Sequence, residues 1–145
     1  MESIKTEEIL KTDIEVAVYP TYLQLANVIV RWNNKVLLIH RNTEPFKDYW
    51  SVPGGGIEAE EAYIDGAARE LSEEVGIKSN QLIPMYIFID HTHRLESHIF
   101  ETTSQDGVAS NPEPTEQDSA TWKSIDEALL LQLTPGVRRA LLSLI

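Results

Sequence analysis

Three consecutive glycines, Gly54–Gly56, entered through Pro53 and followed by a carboxylate-rich segment, constrain this chain more than any other stretch. Proline fixes its own φ, whereas glycine takes backbone angles closed to other residues and leaves room for a ligand against the main chain. A loop is expected there. After it, Ile64, Ala67, Ala68, Leu71 and Val75 recur at three- and four-residue steps, the apolar stripe of an amphipathic helix. Gly76 stands where a helix C-cap favours glycine. The stretch reads as loop, helix, stop.

Glu70, Glu73 and Glu74 sit at i, i+3 and i+4 of that helix, so their side chains share one edge. Like charges at this spacing cost roughly 0.2–0.5 kcal/mol per pair. Glu73 and Glu74 also fall in the last turn, where the helix dipole disfavours anions. Carboxylates placed against both local rules imply a compensating cation. Arg69 is the only cation of the helix, four residues before Glu73, and Glu61 lies eight residues before Arg69 on roughly the same side. Hard oxygen donors grouped this way suit Mg²⁺ or Mn²⁺, with waters and substrate phosphate oxygens completing the shell. The plainer alternative is a solvated acidic face, common in acidic proteins. A glycine loop feeding straight into the helix weighs against it.

Gly55, five residues, Glu61, seven residues, then Arg69-Glu70-Leu71-Ser72-Glu73-Glu74-Val75-Gly76-Ile77 match the Nudix box at each of its nine defined positions over twenty-three residues. Such a pattern is far more specific than a lone glycine motif, and the chain is identified by it as resembling the Nudix hydrolases. The likeness extends to Leu37–Arg41, to the Trp50-x-x-Pro53-Gly54-Gly55 entry and to the Trp122–Ala128 segment.

With 145 residues the chain is expected to form one domain, 1–145, with 1–12 as a loose N-terminal segment. There is no cysteine, hence no disulfide framework, zinc–thiolate site or cysteine nucleophile. No apolar run approaches the roughly 20 residues of a membrane helix, and the mixed, acidic MESIKTEEIL start is unlike a signal peptide. A cytoplasmic protein without a membrane partner is expected. The net charge of -11 argues against a long nucleic-acid partner, which needs a basic footprint. It leaves room for a phosphorylated small molecule, because divalent cations can reverse the local field.

Along the chain, Thr6–Leu10 has weak helical character, and Ile14, Val16 and Val18 alternate as in a strand that Pro20 ends. Leu23–Trp32 and Lys35–Arg41 read as strands of a hairpin turned at Asn33-Asn34. Leu82–Asp90, Arg94–Thr103 and Ser119–Lys123 are further strands, and Ser104–Gln117 is a long polar loop. Ser124-Ile125-Asp126-Glu127 is a capping box opening a helix, and Thr134 and Pro135 read as N-cap and first residue of a last one. This is a layered α/β chain, which the Nudix resemblance sharpens to an α/β/α sandwich with a mixed β-sheet.

The resemblance implies a metal-dependent hydrolase that cleaves the pyrophosphate linkage of a nucleoside diphosphate-X compound by water attack on phosphorus. Carried over by box position, Glu73 and Glu74 would be the principal Mg²⁺ ligands (Mn²⁺ a substitute), with Glu70 a ligand or a base on the attacking water. The carbonyl of Gly54 would be a further ligand, and Arg69 would pair with Glu61 and hold the loop against the helix. A general base in some members comes from the loop before a Trp122-like strand; Glu113, Glu116 and Asp118 lie there, and Glu116 is the choice, against a reading of all three as solvated charges. Arg41, at a strand end, is either a bidentate phosphate donor or an exposed charge. His91, His93 and His98 read as surface or partial core, and Trp50 and Trp122 as packing.

Substrate markers are missing. The proline about sixteen residues after the box that many ADP-ribose hydrolases carry is absent, since His91–Arg94 occupy that region, and so is the tyrosine of many dinucleoside polyphosphate hydrolases. A nucleoside triphosphate, nucleotide sugar, ADP-ribose or dinucleoside polyphosphate all remain open. The alternative from another class is a nucleotide-sensing module on the same fold; retention of all box glutamates and of Arg69 favours the enzyme. Dimers are frequent in the family, so a homodimer stays open too.

Overall fold

The computed structural model describes residues 6–11, 15–79, 81–110 and 117–145, with the side chains of 117–119 excepted. Its strands form a mixed sheet ordered β1 (Glu7–Leu10), β6 (Ile83–Asp90), β7 (Leu95–Thr103), β2 (Leu23–Trp32), β3 (Lys35–Arg41) and β4 (Trp50–Ser51). Two further strands lie off that path: β5 (Gly54–Gly56) on β2 and β8 (Gln117–Ser124) on β3. The β2–β7 pair is parallel and the other pairings are antiparallel.

Alternation along the strands sends side chains to two cores. Val28, Val30, Leu37 and Ile39 pack with Ala67, Leu71 and Val75 of α1 (Tyr63–Val75). Their neighbours Ile29, Val36 and Leu38 pack with Ala128 of α2 (Ile125–Leu129) and Ala140 and Leu141 of α3 (Val137–Leu142). A period of two places successive residues on opposite faces, so helices cover both sides. This is the expected α/β/α sandwich.

The hairpin turns where expected: Asn33 and Asn34 both take positive φ, 50° and 61°, the geometry that matches strand twist. Its strands then part. β2 and β3 share register only at Arg31↔Val36 and Trp32↔Lys35. Into the split runs Trp50–Gly56, pairing first with β3 (Ile39↔Ser51, His40↔Trp50) and then with β2 (Leu25↔Gly56, Ala26↔Gly55, Asn27↔Gly54). The glycines are therefore a short strand wedged into the sheet, where sequence alone suggests a loop.

Other expectations need correction. Glu7–Leu10 is a strand, because pairing with Ile87–Asp90 overrides a weak helical preference. No strand forms at Val16 or Val18, Val16 being exposed, and Ile14 lies outside the described residues. In α1, Ile64 is 43% exposed and Tyr63 takes its place in the core. The last helix starts later than Thr134-Pro135 suggest, with Gly136 as N-cap. Thr134 is held elsewhere: its N–H donates to the Trp50 carbonyl (2.9 Å) and its hydroxyl to Ser51 Oγ (2.9 Å). The capping box holds, with Ser124 Oγ accepting from Glu127 N and the Glu127 carboxylate accepting from Ser124 N. Among the described residues no helix is long and apolar enough to cross a membrane.

Candidate active site

The site assembles where α1 passes over β5. Gly76, at φ 68°, closes the helix in the left-handed conformation, its N–H on the Ser72 carbonyl. That fixed end places Glu74 in the last turn on the buried side, only 5% exposed, where it accepts the Gly54 N–H at 2.9 Å. Gly55 lies against Glu70: a Cβ there would come within 2.7 Å of the Glu70 carboxyl carbon. A side chain at this position would displace the Glu70 carboxylate. Asn27 backs the wedge, since a Cβ on Gly54 would run into its side chain and the Ala26 carbonyl.

Arg69 ties helix to loop. Its Nε donates to Glu61 Oε2 (2.9 Å), Nη2 to Glu61 Oε1 (3.0 Å) and to the Gly56 carbonyl (2.9 Å). Its Nη1 donates to Glu70 Oε1 (2.9 Å) and Glu73 Oε2 (3.2 Å). Glu58, which the sequence gives no reason to single out, adds an ion pair to Nε at 3.6 Å. The bidentate Glu61 contact holds the Glu61 carboxyl below its ordinary range and, from the other side, raises the Arg69 guanidinium further. Burial pushes the Glu70 carboxyl up, a shift that Arg69 opposes without cancelling.

The structure therefore gathers Gly54, Glu61, Arg69, Glu70, Glu73 and Glu74 at one place. Among the described residues, no three acidic or histidine side chains converge into a ready cation cage; Glu70 and Glu73 turn to Arg69 instead. In kind the donors fit a hard divalent ion: a buried carboxylate, a desolvated one and a half-exposed one share a helix edge with a single cation between them. Glu113 and Glu116 lie outside the described residues, as does the side chain of Asp118.

On the sheet face opposite α1, a cleft of about 240 Å³ opens beside the glycines. Leu23, Leu25 and Asn27 of β2, with Leu95 and Ser97 of β7 and Phe88 of β6, form its floor. Phe46, Pro45 and Thr134-Pro135 add walls. Among the described residues Arg41 is the one ionisable group of the lining; its Nε donates to the Pro45 carbonyl (2.9 Å) and Nη2 to that of Thr43 (3.4 Å). The glycines thus stand between the carboxylates of α1 and an apolar cleft. Sequence reading missed Asn27, Phe46 and Thr134, whose adjacency comes from strand register and loop path.

His91, His93, His98 and Trp122 make their contacts away from the carboxylates of α1. His98 is buried and stacks on Tyr63, ring centroids 3.4 Å apart, with Nε2 2.7 Å from Glu96 Oε2. His91 bridges Tyr22 and Glu8, and His93 bonds Asp90 Oδ2 at 2.7 Å. Trp122 packs on Trp32 and donates to the Gly107 carbonyl.

A mixed sheet covered on both faces by helices is a fold shared with known proteins. The NUDIX domain family matches residues 22–144, and the chain belongs to that family. Enzymes of this family generally use divalent metal ions. It is 37% identical over 68 residues to an ADP-ribose pyrophosphatase of Methanocaldococcus jannaschii, covering 46% of this chain and 40% of that protein. To the phosphatase NudJ of Escherichia coli O1:K1 / APEC it is 30% identical over 105 residues, 70% of this chain and 67% of NudJ. The chain thus spans about two fifths of the length of the first of these relatives. Among solved structures, a MutT NUDIX hydrolase from Burkholderia pseudomallei superposes with a TM-score of 0.77 at 23% identity, over 85% of this chain and 98% of that one, a likeness of fold.

Proposed function

We propose that this protein is a divalent-metal-dependent pyrophosphohydrolase that cleaves a nucleoside diphosphate-X compound by water attack on phosphorus. The observation that carries the reading is the meeting of Glu70 and Glu74 with the glycine wedge at the edge of a cleft, Glu73 being tied to the same edge through Arg69. Glu73 and Glu74, with Glu70 and the Gly54 carbonyl, would hold Mg²⁺, or Mn²⁺ in its place. When bound, such an ion offsets phosphate charge and lowers the pKa of the attacking water.

The chain's own groups do the positioning. Glu61 fixes Arg69, and Arg69 keeps β5 and the helix edge in register through the Gly56 carbonyl. Glu70, the carboxylate raised by burial, would either ligate the ion or accept the proton of the water. Glu116 is proposed as the alternative base. Arg41, held on the cleft wall by its bonds to the Pro45 and Thr43 carbonyls, would donate to the substrate phosphates. The apolar floor suits the nucleoside part.

Product analysis with Mg²⁺ against ADP-ribose, nucleotide sugars, dinucleoside polyphosphates and nucleoside triphosphates tests this. Cleavage of one compound far above the rest, lost on chelation and in the Glu73→Gln/Glu74→Gln double variant, is expected. Full activity in that variant would sink the metal assignment, and nucleotide binding without turnover would make the protein a sensing module.

A further inference from the structure

We propose that Phe46 selects the substrate's planar group, which stacks on its ring; this rests on the hydrolase reading above. Phe46 takes φ 65°, a left-handed conformation that a bulky residue rarely adopts. Such outliers persist only where surrounding structure over-determines them, and they cluster at ligand clamps. Here the surroundings do so. The Arg41 side chain holds the preceding carbonyl, Asp48 N–H donates to the Arg41 carbonyl (3.0 Å), and Tyr49 N–H donates to that of Phe46 (3.1 Å).

The ring is held as firmly as the backbone. Tyr49 and His93 meet it at steep angles, 62° and 68°, with centroids 5.5 and 5.1 Å away. His93 is itself fixed, its main-chain N–H on Asp90 Oδ1 and its Nδ1 2.7 Å from Oδ2 of the buried Asp90. Yet among the described residues Phe46 packs with neither hydrophobic core. It is a half-buried aromatic, in a costly conformation, lining the cleft that the glycines border. Core stability gives no reason for such a residue, whereas a planar heteroaromatic ring entering over Leu23 and Phe88 does.

The test is calorimetric titration, with Mg²⁺, of AMP and of ribose 5-phosphate, which lacks the base. Phe46→Leu, which keeps apolar bulk without the ring, is expected to weaken AMP on the order of ten- to a hundredfold and leave ribose 5-phosphate unchanged. Phe46→Trp should retain AMP binding. His93→Ala, which removes the ring abutting Phe46, should show part of the loss. Equal weakening of both ligands, no weakening of either, or a wild type that binds AMP no better than ribose 5-phosphate would overturn the assignment. The two readings fail separately. If the substrate panel is not hydrolysed but the ring-dependent AMP preference holds, the hydrolase reading falls alone; Mg²⁺-dependent turnover without that preference removes only Phe46.

Discussion

Glu74 and Glu96 are both buried carboxylates, 5% and 0% exposed, in unlike surroundings. Glu96 is surrounded by donors: Val18 N–H (2.9 Å), Tyr19 N–H (2.6 Å) and His98 Nε2 (2.7 Å). Burial pushes its carboxyl up, but those donors pull it net below its ordinary range. It is a satisfied charge holding the 18–19 segment onto β7. Glu74 accepts the Gly54 N–H (2.9 Å) and shares its helix edge with Glu70 and Glu73, and Arg69, the only cation of that helix, pairs with Glu58, Glu61, Glu70 and Glu73. Burial alone therefore says nothing about function. An excess of one sign of charge around a buried group does.

That contrast can be broken most directly on the stability side. Glu96→Ala leaves two backbone donors and His98 without their acceptor, and should cost about 3–5 kcal/mol in urea unfolding. Glu74→Gln keeps an acceptor for Gly54 and relieves like-charge crowding, so it should change unfolding by less than about 1 kcal/mol while Mg²⁺-dependent hydrolysis is lost. Equal destabilisation by the two variants would erase the distinction.

Two neighbouring glycines sharpen it. A Cβ at Gly55 meets the Glu70 carboxyl at 2.7 Å, whereas one at Gly56 meets nothing within 4 Å. Gly55→Ala should lower kcat roughly a hundredfold by shifting the carboxylate, and Gly56→Ala should leave kcat near wild type. Away from either glutamate, Ser124→Ala removes the α2 capping box and should cost about 1 kcal/mol with no change in turnover per folded molecule.

The smallest effect is a pH slope. Burial holds the His98 imidazole below its ordinary 6.5, against a partial pull from Glu96, so the unfolded chain binds that proton first. Stability should fall as pH drops from about 6.5 toward the folded value. A second loss follows below 4.5 as Glu96, ionised in the fold, is protonated. Urea midpoints measured from pH 7 down to 4 check this, and a flat profile in the upper window would remove His98 from the account.

Local rules determined much of this protein. The Asn33-Asn34 turn, the bounds of β2 and β3, the Gly76 cap and the Ser124 capping box depend on a few adjacent residues, and the sequence alone carries them. So does the spacing of Glu61, Arg69, Glu70, Glu73 and Glu74, because helix geometry makes neighbours of residues three and four apart. Tertiary structure decided what rests on partners far along the chain. Glu7–Leu10 became a strand because Ile87–Asp90 offered an edge, and Thr134 left its helix for Trp50 and Ser51. The glycines became a wedge because β2 and β3 part, and Phe46 reached the cleft through the path of its loop. Contacts of that range reward the fold only after the chain has closed on itself, so no window of sequence can show them.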